Sequence, residues 1–269
     1  MHRHLFTPDA LLADTCVLGK EEARHLQTVL RVKPGDTIQL FDGQGHTRTT
    51  TVTVVEKNSL TLTAVEPVVS HPQAPCAITL FVCISKGKHM DWTLEKAVEL
   101  GVARIVPVIS DRTIVRIDAD DREAKADRWM RIAEEAARQS GRAWLPEILT
   151  PRSFKESLSL VQQTTPTFVA ALTPNAKPLR DFLLPPPSSL LPATSSLLPP
   201  PSSLQPPPSS LLPPPSQAGW FVGPEGDFTP DELQRLLDAG AVPVSLGPLV
   251  LRAETACLYG LCALNCAWM

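Results

Sequence analysis

The chain has 269 residues, a formal net charge of −3 and 43% hydrophobic residues, enough to bury a sizeable core. With only 20% charged residues, this composition excludes a wholly disordered protein. Proline is unevenly spread, because residues 185–216 hold 13 of the 28 prolines together with nine serines and seven leucines, and no charge. The composition therefore predicts a globular protein interrupted by a low-complexity insertion.

The six cysteines form no C-x-x-C pair, and all six histidines lie at or before His89. This spacing favours reduced thiols and argues against a zinc site. The N-terminus has no apolar segment typical of a secretion signal, and the longest apolar run, at 256–269, is too short to span a bilayer. We therefore expect a soluble, cytoplasmic protein with no metal and no membrane partner.

Residues 1–70 are predicted to form a small β-rich unit with one helix. Apolar residues at helical spacing place the helix at 21–31. Turn residues then separate three strands, predicted at 37–41, 47–55 and 60–65. Short strands joined by tight turns are typical of a small barrel. A proline-rich linker at 71–75 follows it.

From residue 77 onward strands alternate with helices, which predicts an α/β domain with a mostly parallel sheet over 77–269. The continuous apolar run 78–84 is expected to be a strand buried on both faces. Further strands are predicted at 104–109, 168–172, 219–222 and 242–246, and helices at 90–100, 125–140, 231–239 and 253–267. Periodicity alone favours an ordinary doubly wound sheet.

The insertion at 185–216 repeats a PPPSSLL-like unit every seven residues. Proline in every unit forbids the continuous helix that a heptad of leucines would otherwise suggest. We expect a disordered or polyproline II bulge on the surface. A tolerated loop expansion needs no function, because loop-closure entropy grows slowly with length. The alternative is a proline-rich ligand or scaffold for an SH3-like partner.

Two loops near the C-terminus carry the strongest chemical signals. The first, VGPEGDF at 222–228, follows a strand, and its glycines allow the backbone to approach a ligand closely. Thr229, Pro230 and Glu232 then match a capping box that opens a helix. This strand–loop–helix pattern is common, so by itself it indicates function only weakly.

The second loop, LGPLVLRAETA at 246–256, places Arg252 and Glu254 at the mouth of an apolar helix. The helix macrodipole favours a carboxylate in the first turn, which explains Glu254 without any function. The same macrodipole disfavours a cation there. We therefore expect Arg252 to meet an anion, either a protein carboxylate or a ligand.

These two loops resemble the paired signatures of the SPOUT methyltransferases, specifically the 16S ribosomal RNA uracil-N3 methyltransferase family. Further stretches match that family in order, with x for positions left open: HLxxVLR at 25–31, LFDG at 40–43, KGxxMD at 86–91, KAVELGV at 96–102 and EAAxQSGR at 135–142. The similarity covers 3–183 and 219–268, which leaves out only the insertion.

The resemblance implies a PUA-like barrel that binds RNA at 1–70 and a catalytic domain at 77–269 with a deep trefoil knot in place of an ordinary doubly wound sheet. It also implies S-adenosylmethionine as cofactor and a homodimer. By position, the cofactor would lie against Leu172, Gly223, Glu225, Gly226, Leu246, Gly247 and Leu251. The residues expected to contact the small-subunit 16S RNA are Arg3, Arg24, His25, Arg31, Lys33, Lys86, Lys88 and Arg142.

Methylation of uracil N3 requires its proton to leave as the methyl group arrives, so a base and a cation near the developing anion are both useful. Arg252 is the candidate cation, and Glu254 and Glu225 are candidate bases, with bulk water as the alternative. Asp227 stands where the family has glycine. Asp tolerates a positive φ better than most residues, but its carboxylate predicts weaker cofactor binding.

Two other functions compete with this one. A SPOUT enzyme could instead methylate a ribose 2′-oxygen or a tRNA, although the N-terminal barrel and the LRAETA signature favour uracil N3. A relic with a degraded pocket would bind RNA without catalysis, and it would show no thermal shift with S-adenosylhomocysteine.

Overall fold

The computed structural model describes residues 2–28, 31–183 and 214–268, without the side chains of Ala10, Glu21 and His25. Most of the proline-rich insertion, at 185–213, lies outside the described residues, so its predicted disorder stays a prediction.

Residues 2–70 form a six-stranded sheet with two helices. The elements are β1 (His2–Leu5), α1 (Pro8–Leu12), β2 (Thr15–Leu18), α2 (Lys20–Thr28), β3 (Thr37–Phe41), β4 (His46–Glu56), β5 (Ser59–Ala64) and β6 (Val69–Ser70). The strand order is β1-β3-β4-β5-β2, with β6 beside β4; β1 joins β3 in parallel and the other pairs are antiparallel. Alternate residues such as Ile38 and Leu40 point inward and pack with Leu26 of α2.

The helix in this unit ends earlier than periodicity predicts. Arg31, predicted as its last residue, has a φ of +53°, which an α-helix does not accept. The chain is already turning toward β3 there, and the backbone N–H of Lys33 donates to Oδ2 of Asp36 (2.7 Å). Strands β1 and β2 and helix α1 were not predicted, because elements of four or five residues are too short for a periodic pattern.

The rest of the chain builds an all-parallel sheet. Its strands are β7 (Ala77–Cys83), β8 (Arg104–Ile109), β9 (Glu147–Ile148), β10 (Arg152–Ser153), β11 (Thr167–Ala170), β12 (Lys177–Pro178), β13 (Gln217–Val222) and β14 (Ala241–Ser245). Their order is β10-β8-β7-β13-β11-β14-β12, with β9 beside β8. The predicted α/β class with a mostly parallel sheet is confirmed. The trefoil knot stays a prediction, since strand order alone does not define how the chain is threaded.

Helices cover both faces of this sheet. They are α3 (Lys88–Glu99), α4 (Arg122–Ser140), α5 (Phe154–Gln163), α6 (Arg180–Leu183), α7 (Pro230–Asp238) and α8 (Ala253–Trp268). Along β7, Leu80 and Val82 pack with α3, α4 and α8, whereas Phe81 and Cys83 pack with α5 and α7. Burial on both faces is the physical reason for the continuous apolar run at 78–84.

Helix α5 was not predicted, although its start carries a readable signal. The hydroxyl of Ser153 accepts from the backbone N–H of Glu156 (3.3 Å), and the Glu156 carboxylate accepts from the backbone N–H of Ser153 (2.7 Å). This Ser-x-x-Glu capping box marks a helix N-terminus. Phe154 and Val161 then bury one side of the helix against Phe221 of β13.

Candidate functional site

A cavity of about 490 Å³ opens at the carboxyl ends of three neighbouring strands, β11, β13 and β14. Each strand continues into a loop that lines the cavity, and the first turn of α8 closes another side. The carboxyl edge of a parallel sheet is where such folds bind ligands, because the loops that follow adjacent strands meet there.

Six of the seven residues predicted to hold the cofactor line this cavity. They are Leu172, Gly223, Glu225, Leu246, Gly247 and Leu251. Gly226 is placed differently: a Cβ added there would lie 3.5 Å from Cβ of Arg112. Gly226 therefore meets the loop that supports the cavity wall.

Glycine is needed at two points of the cavity wall. A Cβ on Gly223 would lie 3.0 Å from the ring of Phe228, a close approach that the ring would have to relieve by a small shift. Gly247 has a φ of +118°, a conformation that L-residues with side chains avoid. The hydroxyl of Ser245 accepts from the backbone N–H of Gly247 (3.2 Å) and fixes this second turn.

Asp227 also lines the cavity and adopts the positive φ, +59°, that its glycine-like position suggested. Its Oδ1 accepts a hydrogen bond from the backbone N–H of Phe228 (2.8 Å). Asp visits the left-handed region at lower cost than most residues, because its short side chain bonds to the local backbone. The carboxylate is thus part of the loop structure, and its charge lies at the cavity.

Charged residues of the loop after β8 brace the 223–228 loop from outside. Arg112 Nη1 donates to the carbonyl oxygen of Gly226 (2.7 Å). Glu232, only 2% exposed, accepts from the backbone N–H of Asp111 (2.8 Å) and from that of Thr229 (2.9 Å). The predicted capping box is confirmed, since the Thr229 hydroxyl accepts from the Glu232 N–H (3.2 Å). The sequence did not indicate the bonds to the 111–112 loop, because they join distant segments.

A shallow depression adjoins the cavity mouth. It is lined by Lys88, His89, Trp92, Arg252, Glu254 and Thr255. Arg252 and Glu254 line both spaces, as does His89. Over the chain segments that the structure describes, no carboxylate pairs with the Arg252 guanidinium.

His89 is a site residue that the sequence analysis missed. Its Nδ1 lies 3.2 Å from Oε1 of Glu254, one of the two candidate catalytic residues. The signal was present, because His89 occupies an unassigned position of the KGKHMD stretch, between Gly87 and Met90. A pattern that leaves this position free gives no reason to choose it.

The basic residues predicted to contact RNA fall into two groups. Arg24, Arg31, Lys33, Lys86 and Lys88 are exposed, as a phosphate contact requires. The side chain of His25 lies outside the described residues.

Arg3 and Arg142 instead donate to backbone carbonyl oxygens within 98–142, and Arg3 thereby joins the first sheet to the second unit. Arg3 Nη1 donates to the carbonyl oxygens of Ala137 and Arg142 (both 3.2 Å). Arg142 donates to the carbonyl oxygens of Val98 (3.0 Å) and Val102 (2.6 Å). Burial lowers the pKa of Arg3, and it lowers the pKa of Arg142 to about 10. Both guanidinium groups are half-buried and already bonded to the protein backbone, so their predicted contact with RNA stays a prediction.

In the described ranges, no cluster of three or more His, Cys, Asp or Glu side chains is placed to hold a metal ion. None of the helices that could be examined there is both long and apolar enough to cross a bilayer.

Comparison with known proteins identifies the family. A model described as an RNA methyltransferase domain matches residues 72–265, and one described as an RNA methyltransferase PUA domain matches 18–65. The ribosomal RNA small subunit methyltransferase E of Bacillus subtilis is 30% identical over 253 residues, which cover 94% of this chain and 90% of that protein. The chain belongs to this methyltransferase E family.

Other members agree along the whole chain. The Synechocystis ribosomal RNA small subunit methyltransferase E is 27% identical over 98% of this chain and 77% of that protein. The crystal structure of the Neisseria gonorrhoeae methyltransferase E, bound to S-adenosyl methionine, superposes with a TM-score of 0.78 at 31% identity, covering 100% of this chain and 98% of that one. The methyltransferase E family and its PUA-like N-terminal domain, expected from the motifs, are thereby confirmed.

Proposed function

We propose that this chain transfers the methyl group of S-adenosylmethionine to N3 of a specific uridine in small-subunit 16S ribosomal RNA. The observation that carries the proposal is the cavity at the carboxyl ends of β11, β13 and β14, whose walls are the two signature loops. Membership in the methyltransferase E family supplies the class of reaction.

The cavity suits the cofactor in size and in chemistry. Its volume of about 490 Å³ lies within the usual range for sites that enclose a small molecule. Leu172, Leu246 and Leu251 offer apolar surface to a purine, and Gly223 lines the wall where the polar chain of a methionine would lie. When bound, the cofactor supplies an electrophilic methyl group on a positively charged sulfur. The surfaces at these positions support the proposed cofactor residues. Gly226 does not line the cavity, so we propose that it acts through the backbone of the 223–228 loop.

Arg252 is proposed to stabilise the uracil anion by donating to an exocyclic oxygen or to the nucleotide phosphate. Its exposed guanidinium stands at the cavity mouth, where developing charge would gain most from a positioned cation. We expect Arg252→Ala to lower the rate of methyl transfer by about 10²-fold and Arg252→Lys to recover part of the loss. Methyl transfer by Arg252→Ala within a few-fold of wild type would contradict this role.

We assign RNA binding to the barrel at 1–70 and to the basic loop before α3, and catalysis to 77–269. Exposed Lys88, the first residue of α3, lines the depression at the cavity mouth, and exposed Lys86 precedes it by two residues. Phosphate contacts predict that affinity falls steeply with salt concentration. We expect the Lys86→Ala, Lys88→Ala double variant to bind RNA more weakly and with a shallower salt slope, and Arg235→Ala on α7 to leave both unchanged.

A homodimer is proposed on the basis of apolar surface beside the cavity. Leu249 and Val250, in the second signature loop, are 73% and 78% exposed, and Tyr259 of α8 is 50% exposed. Large apolar side chains exposed to this degree are found at protein interfaces. Light scattering should give twice the monomer mass, and Val250→Asp should shift the protein toward monomer. A wild-type monomer at micromolar concentration would refute the dimer.

The deciding experiment is mass spectrometry of small-subunit RNA from a deletion strain. We expect one uridine to lose a methyl group at N3, and the wild-type gene to restore it. Loss of a ribose or tRNA methyl group would instead support the alternative targets. A purified protein that shows no thermal shift with S-adenosylhomocysteine would favour the RNA-binding relic. The cytoplasmic location stays a prediction.

A further inference from the structure

A histidine at the cavity mouth is held by a carboxylate from the far end of the chain. Nδ1 of His89, in the first turn of α3, lies 3.2 Å from Oε1 of Glu254, in the first turn of α8, 165 residues away. An ionised carboxylate only accepts hydrogen bonds, so the proton of a neutral imidazole is on Nδ1. Nε2 then carries a free lone pair.

The two members of this pair differ in accessibility. The side chain of His89 is 56% exposed, whereas that of Glu254 is 15% exposed. Both line the cofactor cavity and also the adjoining depression. His89 is therefore reachable by a nucleotide that enters the depression, while Glu254 is largely covered.

The depression has features that suit an extruded base. Trp92 is 43% exposed there, and an aromatic face is a common platform for an unstacked base. Lys88 and Arg252 bring positive charge to the same depression, which favours the RNA backbone. A base on this surface would lie beside both the imidazole and the cavity.

We propose that His89 is the general base that removes the N3 proton of the target uridine, with Glu254 as its positioning residue. This inference rests on the proposed function. The N3–H bond breaks and its proton passes to Nε2, while the nitrogen electron pair bonds to the methyl carbon and the carbon–sulfur pair returns to sulfur. The imidazolium formed is stabilised by the Glu254 carboxylate and then releases its proton to water.

Glu254 suits positioning better than direct proton abstraction. Its carboxylate already accepts the Nδ1–H of His89, and little of it is exposed. The charged groups that line the same two spaces as His89 are Lys88 on its own helix, Arg252 and Glu254 at the start of α8, and Glu225 and Asp227 from the 223–228 loop.

The test is single-turnover methylation of small ribosomal subunits across pH 5.5–9 by wild type, His89→Gln and Glu254→Gln. We expect His89→Gln to lower the rate at neutral pH about 10²-fold or more and to abolish the acid limb of the pH–rate profile. Glu254→Gln should give a smaller loss, about 10-fold, because the base remains but its tautomer is no longer fixed. Calorimetry should show S-adenosylhomocysteine binding within two-fold of wild type for both variants.

A second readout is independent of turnover. Nitrogen-15 NMR of the wild-type imidazole should show the Nδ1–H tautomer for His89, and Glu254→Ala should shift the population toward Nε2–H. The matched control is His46→Gln, since His46 also pairs through Nδ1 with a carboxylate, Asp42 (2.7 Å), but in the N-terminal sheet. We expect this control to leave the Nδ1–H tautomer of His89 unchanged.

The possible outcomes test the role of His89 separately from the proposed methyltransferase activity. An active wild type with His89→Gln at a rate within three-fold of it would overturn the base and leave the methyltransferase intact. A wild type that methylates no uridine would overturn both. A slow His89→Gln that keeps the wild-type acid limb would also overturn the base, because the titrating group would then lie elsewhere.

Discussion

Glu232 offers a sharp test of how the cofactor loop is supported. Its carboxylate is buried and accepts two backbone hydrogen bonds, one from Asp111 (2.8 Å) and one from Thr229 (2.9 Å). Glu232→Ala leaves both N–H groups without this acceptor. Because each charge-assisted bond contributes about 1.5–3 kcal/mol and water reaches the Asp111 side in part, we expect a loss of about 2–4 kcal/mol in the free energy of unfolding.

The chain contains its own control for this substitution. Glu156 closes an equivalent capping box with Ser153 at the start of α5, but its side chain is 51% exposed. Glu156→Ala should therefore cost only about 0.5–1 kcal/mol, as expected for an exposed cap. Glu232→Gln keeps one acceptor oxygen and should fall between wild type and Glu232→Ala, which covers the case in which Glu232→Ala fails to fold.

Urea denaturation followed by tryptophan fluorescence measures these costs, and calorimetry with S-adenosylhomocysteine measures the effect on the site. We expect Glu232→Gln to weaken binding several-fold, since the 111–112 loop and the 223–228 loop lose their shared anchor. Glu156→Ala should leave affinity unchanged. Equal stability losses for Glu232→Ala and Glu156→Ala, or unchanged affinity in Glu232→Gln, would refute the bracing role.

Three further outcomes are expected. Asp227→Asn keeps the side-chain oxygen that bonds to the backbone and removes the negative charge that would repel the carboxylate of the cofactor. Calorimetry should therefore show tighter S-adenosylmethionine binding by a few-fold, and weaker binding would contradict this. Gly260→Ala would place Cβ 2.0 Å from the buried indole of Trp220, so urea denaturation should show a loss of about 1–3 kcal/mol. Burial raises the pKa of Cys83 to about 12, so at pH 8 it stays a thiol, and mass spectrometry should find exposed Cys262 alkylated while Cys83 is not.

Local patterns in the sequence were sufficient to predict many of the helices and strands. Strands β3 and β8 have the bounds that the sequence predicts, because turn residues and runs of apolar residues mark their ends. The capping box at Thr229 was readable for the same reason, since its two partners are three residues apart. Elements with weak local signals, such as the four-residue β1, were missed.

The cavity depends both on local sequence and on the tertiary structure. Each signature loop is local, and its glycines and strand-to-helix position are visible in the sequence. That the two loops meet follows from the sheet order β13-β11-β14, in which strands distant in the chain become neighbours. Gly226 contacts Arg112, which lies more than a hundred residues earlier in the chain. Its placement away from the cavity wall was therefore not predictable from local sequence.

By itself the sequence determined the class of elements, the two loops that build the cavity and the low-complexity nature of the insertion, because these depend on composition and on residues close along the chain. The tertiary structure was needed to show that Arg3 bonds across to Ala137 and that His89 meets Glu254 across 165 residues. The physical reason is that burial, and the pairing of charged groups, depend on which distant segments the parallel sheet brings together.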